Sequence, residues 1–167
     1  SVHPDRVLNT IRSRTQQIYI PALTDRALSS MIAQQYSLNQ EQLAQITLLS
    51  DGNLNKALKL VENMTGDYFD YFKRWMRLCY AHDLTQLVAQ ADSFQEMSKA
   101  GQRNFLAYSL HMLREALVLY FAQARLTRTT AAEQEFTRKL RKTLTHQQIK
   151  EWITWLNRAY YHIERHV

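Results

Sequence analysis

The stretch SKAGQRNFLAYSLHMLREALVLYFAQA, residues 98–124, decides the fold. Leu106, Leu110, Leu113, Leu117 and Phe121 recur at steps of three and four, so they form one nearly straight stripe on a helix. Ser98 stands where a hydroxyl can cap the first turn. Helical patterns continue on both sides. Residues 67–80 place Phe69, Phe72, Trp75 and Met76 on a broad face, and Leu84, Leu87, Val88, Ala91 and Phe94 repeat in the next segment. After a loop at 127–130, a helix at 132–143 carries Phe136 and Leu140. A last one at 146–165 carries Ile149, Trp152, Ile153, Leu156, Tyr160 and Ile163. Together they predict a five-helix bundle.

Upstream, Gly66 marks a boundary and the helices before it are shorter. Thr24 can cap a helix with Ala27, Leu28, Met31 and Ile32 on one face. Asn39 with Gln42 has the capping-box spacing in front of Leu43, Ile46 and Leu49. Asp51-Gly52 stops that helix, and a third carries Leu54, Ala57, Leu58 and Val61. A unit this small buries too little to be very stable alone, so it is expected to lean on something else. Gln17-Ile18-Tyr19-Ile20-Pro21 alternates like a short strand and stops at a proline.

Composition excludes the other fold classes. A chain of 167 residues at average usage would hold about 12 glycines and 8 prolines; this one has 3 and 2. Sheet proteins need turn residues every 8–12 positions or so, and that punctuation is missing, so the fold class is all-α. The longest apolar run, Ala116 to Ala122, is far short of the ~20 residues that span a bilayer. No apolar leader precedes the helices, and the single Cys79 cannot form an internal disulfide. A cytoplasmic location is therefore expected, and the start at Ser1 suggests a piece of a longer protein.

The chemistry of an enzyme is missing from the sequence. Gly52, Gly66 and Gly101 are too far apart to cradle a phosphate. His162 and His166 have the i, i+4 spacing of a shared metal, but a zinc helix places Glu directly after its first His, and Ile163 is there instead. They read as solvated or capping histidines near a helix end. His111 and Glu115 read as a local polar pair, and Cys79 as a buried structural thiol. No nucleophile has a base beside it.

Charge is uneven. Seven basic residues (Arg125, Arg128, Arg138, Lys139, Arg141, Lys142, Lys150) against two acidic ones (Glu133, Glu135) fall between 125 and 150, and they account for most of the formal net charge of +6. Such a segment can contact phosphates, face an acidic neighbour or be a solvated helix face. The aromatic group Tyr68, Phe69, Tyr71, Phe72 and Trp75 could stack on bases, but its helical spacing suits core or interface packing.

The first 60 residues carry a resemblance. Pro4-Asp5-Arg6-Val7-Leu8-Asn9-Thr10-Ile11-Arg12-Ser13-Arg14-Thr15-Gln16 is similar to the Ser-Arg-Cys region of the clamp-loader branch of the AAA+ superfamily, in which a short helix ends in an arginine before a strand. Pro21-Ala22-Leu23-Thr24-Asp25 follows, then Gly52-Asn53-Leu54-Asn55-Lys56-Ala57-Leu58 at the start of a third lid helix, in the family's order. The match covers residues 1 to about 63 and continues more loosely through the bundle. It resembles the non-hydrolysing members in one respect: Asn55 stands where ATP-hydrolysing members usually place a nucleotide-sensing arginine. Thr15 replaces the usual cysteine, which has no necessary chemical role.

The resemblance implies a tail of the AAA+ core at 1–21, a three-helix lid at 22–64 and a helical collar domain at 65–167. It implies that Arg14 acts in trans on ATP-Mg held by a neighbouring motor subunit, where an arginine finger contributes roughly 10³–10⁵ in rate. This chain would then bind no cofactor or metal itself. Phe69, Phe72, Trp75, Trp152, Trp155 and Tyr160 would offer an interface to sister collars. Partners would be the other clamp-loader subunits and, through the complex, the sliding clamp and primed DNA, with no membrane. The alternatives are an ATP-hydrolysing subunit of the same complex and a stand-alone basic helical module that binds nucleic acid.

Overall fold

The computed structural model describes residues 8–16, 18, 20–62, 67–121 and 129–165, Arg12 by its backbone alone. All regular structure among them is helical: α1 Asn9–Arg12, α2 Asp25–Gln35, α3 Gln40–Ser50, α4 Leu54–Glu62, α5 Tyr68–Ala81, α6 Leu84–Glu96, α7 Lys99–Phe121, α8 Ala131–Thr143 and α9 His146–Arg165. The all-α expectation holds, and the segments expected to be helical are helical.

Local chemistry starts these helices where the sequence placed the signals. Thr24 Oγ1 accepts from Ala27 N–H at 3.3 Å. Asn39 and Gln42 close a reciprocal capping box, at 2.7 and 3.1 Å. Ser98 Oγ accepts from Gly101 N–H at 3.1 Å. A second capping box, Thr130 with Glu133, opens α8. The strand expected at Gln17–Pro21 is not formed at Ile18 or Ile20, which lie in neither helix nor strand; Gln17 and Tyr19 are outside the described residues. A strand needs a ladder partner for its backbone groups, and no described residue provides one.

Two cores result. Helices α2, α3 and α4 enclose Leu28, Ile32, Ile46, Ala57 and Leu60. The five helices that follow enclose a larger set, with α7 running through the middle and buried on most sides. Phe105 of α7 meets Tyr71 edge-on at 4.8 Å and also touches Tyr68, Trp75 and Phe94. Phe136 of α8 meets Phe69 and Phe72 edge-on at 5.8 and 6.0 Å. The small unit does lean on the bundle. Leu49 packs against both cores, and Gln45 of α3 donates from Nε2 to Asp67 Oδ1, the N-cap of α5, at 2.6 Å. The boundary residue Gly66 lies outside the described residues.

Gly52 holds the small unit closed at its end. It follows Asp51, which has φ of 49°, and itself has φ of +75°, both in the left-handed region. A Cβ there would stand 2.5 Å from Leu23 O and 2.8 Å from Ala22 Cβ. The same approach lets Leu23 N–H donate to Gly52 O at 3.0 Å. Gly52→Ala therefore combines backbone strain with a clash against main chain, and it is expected to cost about 2–4 kcal/mol. A urea titration of the wild type and the variant reads this as a lower midpoint; an unchanged midpoint would contradict the packing described.

Candidate functional site

Arg14 sits just past the single turn of α1. Ser13 caps that turn, its hydroxyl donating to Thr10 O at 3.2 Å, and Arg14 N–H donates to Ile11 O at 3.1 Å. Thr15, at the position of the family's cysteine, donates from Oγ1 to the same Ile11 carbonyl at 2.9 Å. The threonine thus ties down the chain after the helix, and the Arg14 side chain is exposed. In the flanking sequence Leu8, Ile11, Ile18 and Ile20 are also exposed. Asn55 is exposed in the first turn of α4, next to Asn53, whose Oδ1 caps that turn through Lys56 N–H at 3.0 Å.

The six aromatic residues expected at an interface divide into two groups. Phe69 and Phe72 are buried in the chain's own core, and Trp75, Trp152 and Tyr160 are half-buried against it. Only Trp155 stands clear, 65% exposed, with the Arg158 guanidinium 5.9 Å from its ring centroid. Five of the six therefore serve this chain's own packing. The reason is α7: its Phe105 and Tyr108 meet the rings of α5, and the inner face of α9 packs on the same core. The exposed aromatic and aliphatic groups lie elsewhere: Tyr80, Leu84, Val88, Phe121 and Tyr161. Three of these, Leu84, Val88 and Phe121, belong to the apolar stripes that the sequence shows at helical spacing. In α6 the inward set is instead Leu87, Gln90 and Phe94, because the helix packs on one side only and is rotated toward α5 and α7. The 3–4 spacing of those residues was a usable signal, masked by the polar Gln90.

Burial pushes the Cys79 thiol up, away from the reactive thiolate. His111 and Glu115 lie 3.9 Å apart on α7. His162 is half-buried beside the Tyr161 ring, and His166 is outside the described residues. Among the described residues no group of His, Cys, Asp or Glu could hold a metal.

The basic segment is partly spent within the chain. Lys139 pairs with Glu135 at 2.6 Å, a hydrogen bond that also holds the Glu135 carboxyl below its usual range. Arg141 donates from Nη1 to Leu119 O near the end of α7, at 2.6 Å, and lies over the Tyr120 ring. Arg138, Lys142 and Lys150 are exposed, and Arg125 and Arg128 fall outside the described residues.

The most elaborate polar arrangement lies where the two cores meet. Tyr108 of α7 is fully buried and donates its hydroxyl to Glu133 Oε1. Glu133, itself buried, also accepts from Thr130 N–H at 2.7 Å. Burial, then the Glu133 charge, pushes the Tyr108 phenol far above its ordinary 10.0. Next to this pair, a groove of about 550 Å³ is lined by Arg26 and Ser29 of α2, Gln45 of α3, and Thr130 and Glu133 at the start of α8.

Comparison with protein-family models, with curated proteins and with solved structures gives no match to this chain.

The buried phenol has a measurable consequence. Tyr108→Phe leaves the Glu133 carboxylate short of a donor and is expected to cost about 1.5–3 kcal/mol at neutral pH. The unfolded chain releases this phenolic proton near pH 10, whereas the fold retains it. Stability is therefore fully present below pH 10 and falls as pH rises beyond it, by about 1.4 kcal/mol per unit from this group. Denaturation of both proteins across that range should show the penalty of Tyr108→Phe shrinking as pH rises. A penalty that stays constant would mean that the phenol is not held neutral.

Proposed function

We propose that this chain is the lid and collar part of a non-hydrolysing subunit of the bacterial DNA polymerase III clamp loader, of the delta-prime type. The observation that carries the reading is the placement of Arg14. It is an exposed arginine directly after a one-turn helix, followed in order by a three-helix unit and a five-helix bundle that supports it. A guanidinium in that position is suited to reach a neighbour's nucleotide, because the turn is fixed by Ser13 and Thr15 while the side chain is left to solvent. The bare Leu8, Ile11, Ile18 and Ile20 support it further, since such a surface fits burial against a folded core. Asn55, uncharged and exposed, suits a subunit that does not sense its own nucleotide.

In this role the chain would have no catalytic site of its own. ATP-Mg would be bound by neighbouring gamma/tau motor subunits, and Arg14 would stabilise the charge that develops on the transferred phosphoryl group. The bundle would join the collar formed with the gamma/tau and delta subunits through its exposed Trp155 face, and the complex would open the sliding clamp and place it on primed DNA in the cytoplasm. Arg138, Lys142 and Lys150 favour a second reading, a basic helical module that binds nucleic acid by itself. Steeply salt-dependent DNA binding by this chain alone would support that one instead.

The test is ATP hydrolysis by the reconstituted complex carrying Arg14→Ala in the intact subunit. Assembly is expected to persist, with single-turnover hydrolysis at one neighbouring site falling by roughly 10³-fold. Arg14→Lys should rescue poorly because it lacks the planar fork, and Arg12→Ala should have little effect. Equal and small effects at positions 12 and 14 would refute the finger.

A further inference from the structure

We propose that the apolar cleft between α5, α6, α7 and α9 is a binding site for a small neutral aromatic molecule with one hydrogen-bond acceptor, which the Gln90 side-chain amide meets. The cleft has a volume of about 240 Å³ and is walled by Tyr71, Trp75, Leu87, Phe94, Phe105 and Leu156. Among the described residues no charged side chain lines it. A charged ligand would lose its hydration there without a counter-charge. The volume lies between the ~150 Å³ of a cavity that admits benzene and the roughly 300 Å³ at which drug-sized sites begin. One ring with a small substituent fits that range, and the Tyr71, Trp75, Phe94 and Phe105 rings in the otherwise aliphatic wall favour a ring that can stack or meet them edge-on.

Gln90 supplies the second, independent observation. It is only 6% exposed, yet its Nε2 has no hydrogen-bond partner. Its main chain is fixed, because Tyr71 donates from its hydroxyl to Gln90 O at 2.8 Å. A polar side chain on the inner face of α6, where a leucine would extend the core, leaves a donor unmet unless something brings an acceptor. A buried unmet donor is costly, and a carbonyl or ether oxygen on the ligand would recover that loss. The remaining surface of the ligand would be held by burial alone. This inference does not depend on the clamp-loader reading, since it uses neither Arg14 nor the outer faces of the bundle.

The experiment uses the 167-residue chain with two probes of nearly the same shape, acetophenone and α-methylstyrene, in which a carbonyl oxygen is replaced by a methylene. Affinities are read by protein-observed NMR titration. Both probes are expected to bind with intermolecular contacts to Tyr71 and Trp75. In Gln90→Leu the affinity ratio of ketone to hydrocarbon should fall by roughly fivefold, the amount a single hydrogen bond contributes. The ratio, rather than either affinity, is the readout, because it cancels the difference in hydrophobicity between the probes. Ala91→Phe, a change at an exposed position on the rim, should block both probes while leaving the helical circular dichroism unchanged. If Gln90→Leu does not fold, the ratio is read in Gln90→Met. Failure of both probes to saturate, a ratio unmoved by the Gln90 variant, or binding that survives Ala91→Phe would each overturn the proposal. So would a dimer of this chain that excludes the probes from the cleft.

Discussion

The burial of α7 on nearly every side is the constraint that organises this protein. A helix that exposes little of its surface needs several others around it, and every polar group it carries inward must find a partner within the fold. Ser109 meets this need locally, donating to Phe105 O at 2.8 Å. Tyr108 cannot, and its hydroxyl reaches the Glu133 carboxylate on α8 instead. That carboxylate belongs to the third residue of α8, and its other oxygen closes the capping box with Thr130, so the group that satisfies Tyr108 also helps set where α8 begins. At the far end of α7 the Tyr120 hydroxyl shares its one proton between Arg141 O, 2.7 Å away, and Leu144 O, and this contact holds the end of α8.

The same region joins the small unit to the bundle. Gln45 and Leu49 are both on α3, and they contact the bundle by different means: a hydrogen bond to the cap of α5 and apolar packing across both cores. Asp67 accepts from Gln45 and from Phe69 N–H at 2.8 Å, so one carboxylate starts α5 and ties it to α3. In the proposed role such a joint matters, because a lid that moves with its collar would pass a change in nucleotide state outward as a displacement. A joint made only of apolar contacts would slide more easily, since hydrophobic burial is non-directional and hydrogen bonds are not.

Helix positions were legible in the sequence because their causes are local. Thr24, Asn39 with Gln42, Ser98 and Asp51-Gly52 act within a few residues, and apolar spacing of three and four is a property of one helix at a time. That all regular structure among the described residues is helical was legible from the scarcity of glycine and proline. The resemblance at Ser13-Arg14 and at residues 52–58 is likewise a matter of sequence order, and the structure adds that Arg14 is exposed and Thr15 anchors the turn beside it.

Which face of each helix turns inward was decided only by tertiary structure. Leu84, Val88 and Phe121 belong to apolar stripes and yet face outward, whereas Gln90 and Glu133 are polar and yet buried. Periodicity identifies a stripe but not its neighbours; α6 is covered along one side, and Phe121 ends the described part of α7 with its ring exposed. Phe69, Phe72 and Trp75 looked equally able to meet a partner until Phe105 and Phe136 were brought against them from helices 30 or more residues away. Sequence alone determined where helices start, stop and carry apolar groups, since those depend on bonds and steps along the chain. Only packing decided which aromatic groups are consumed in the core and which are left exposed, because that depends on residues that meet only in the folded protein.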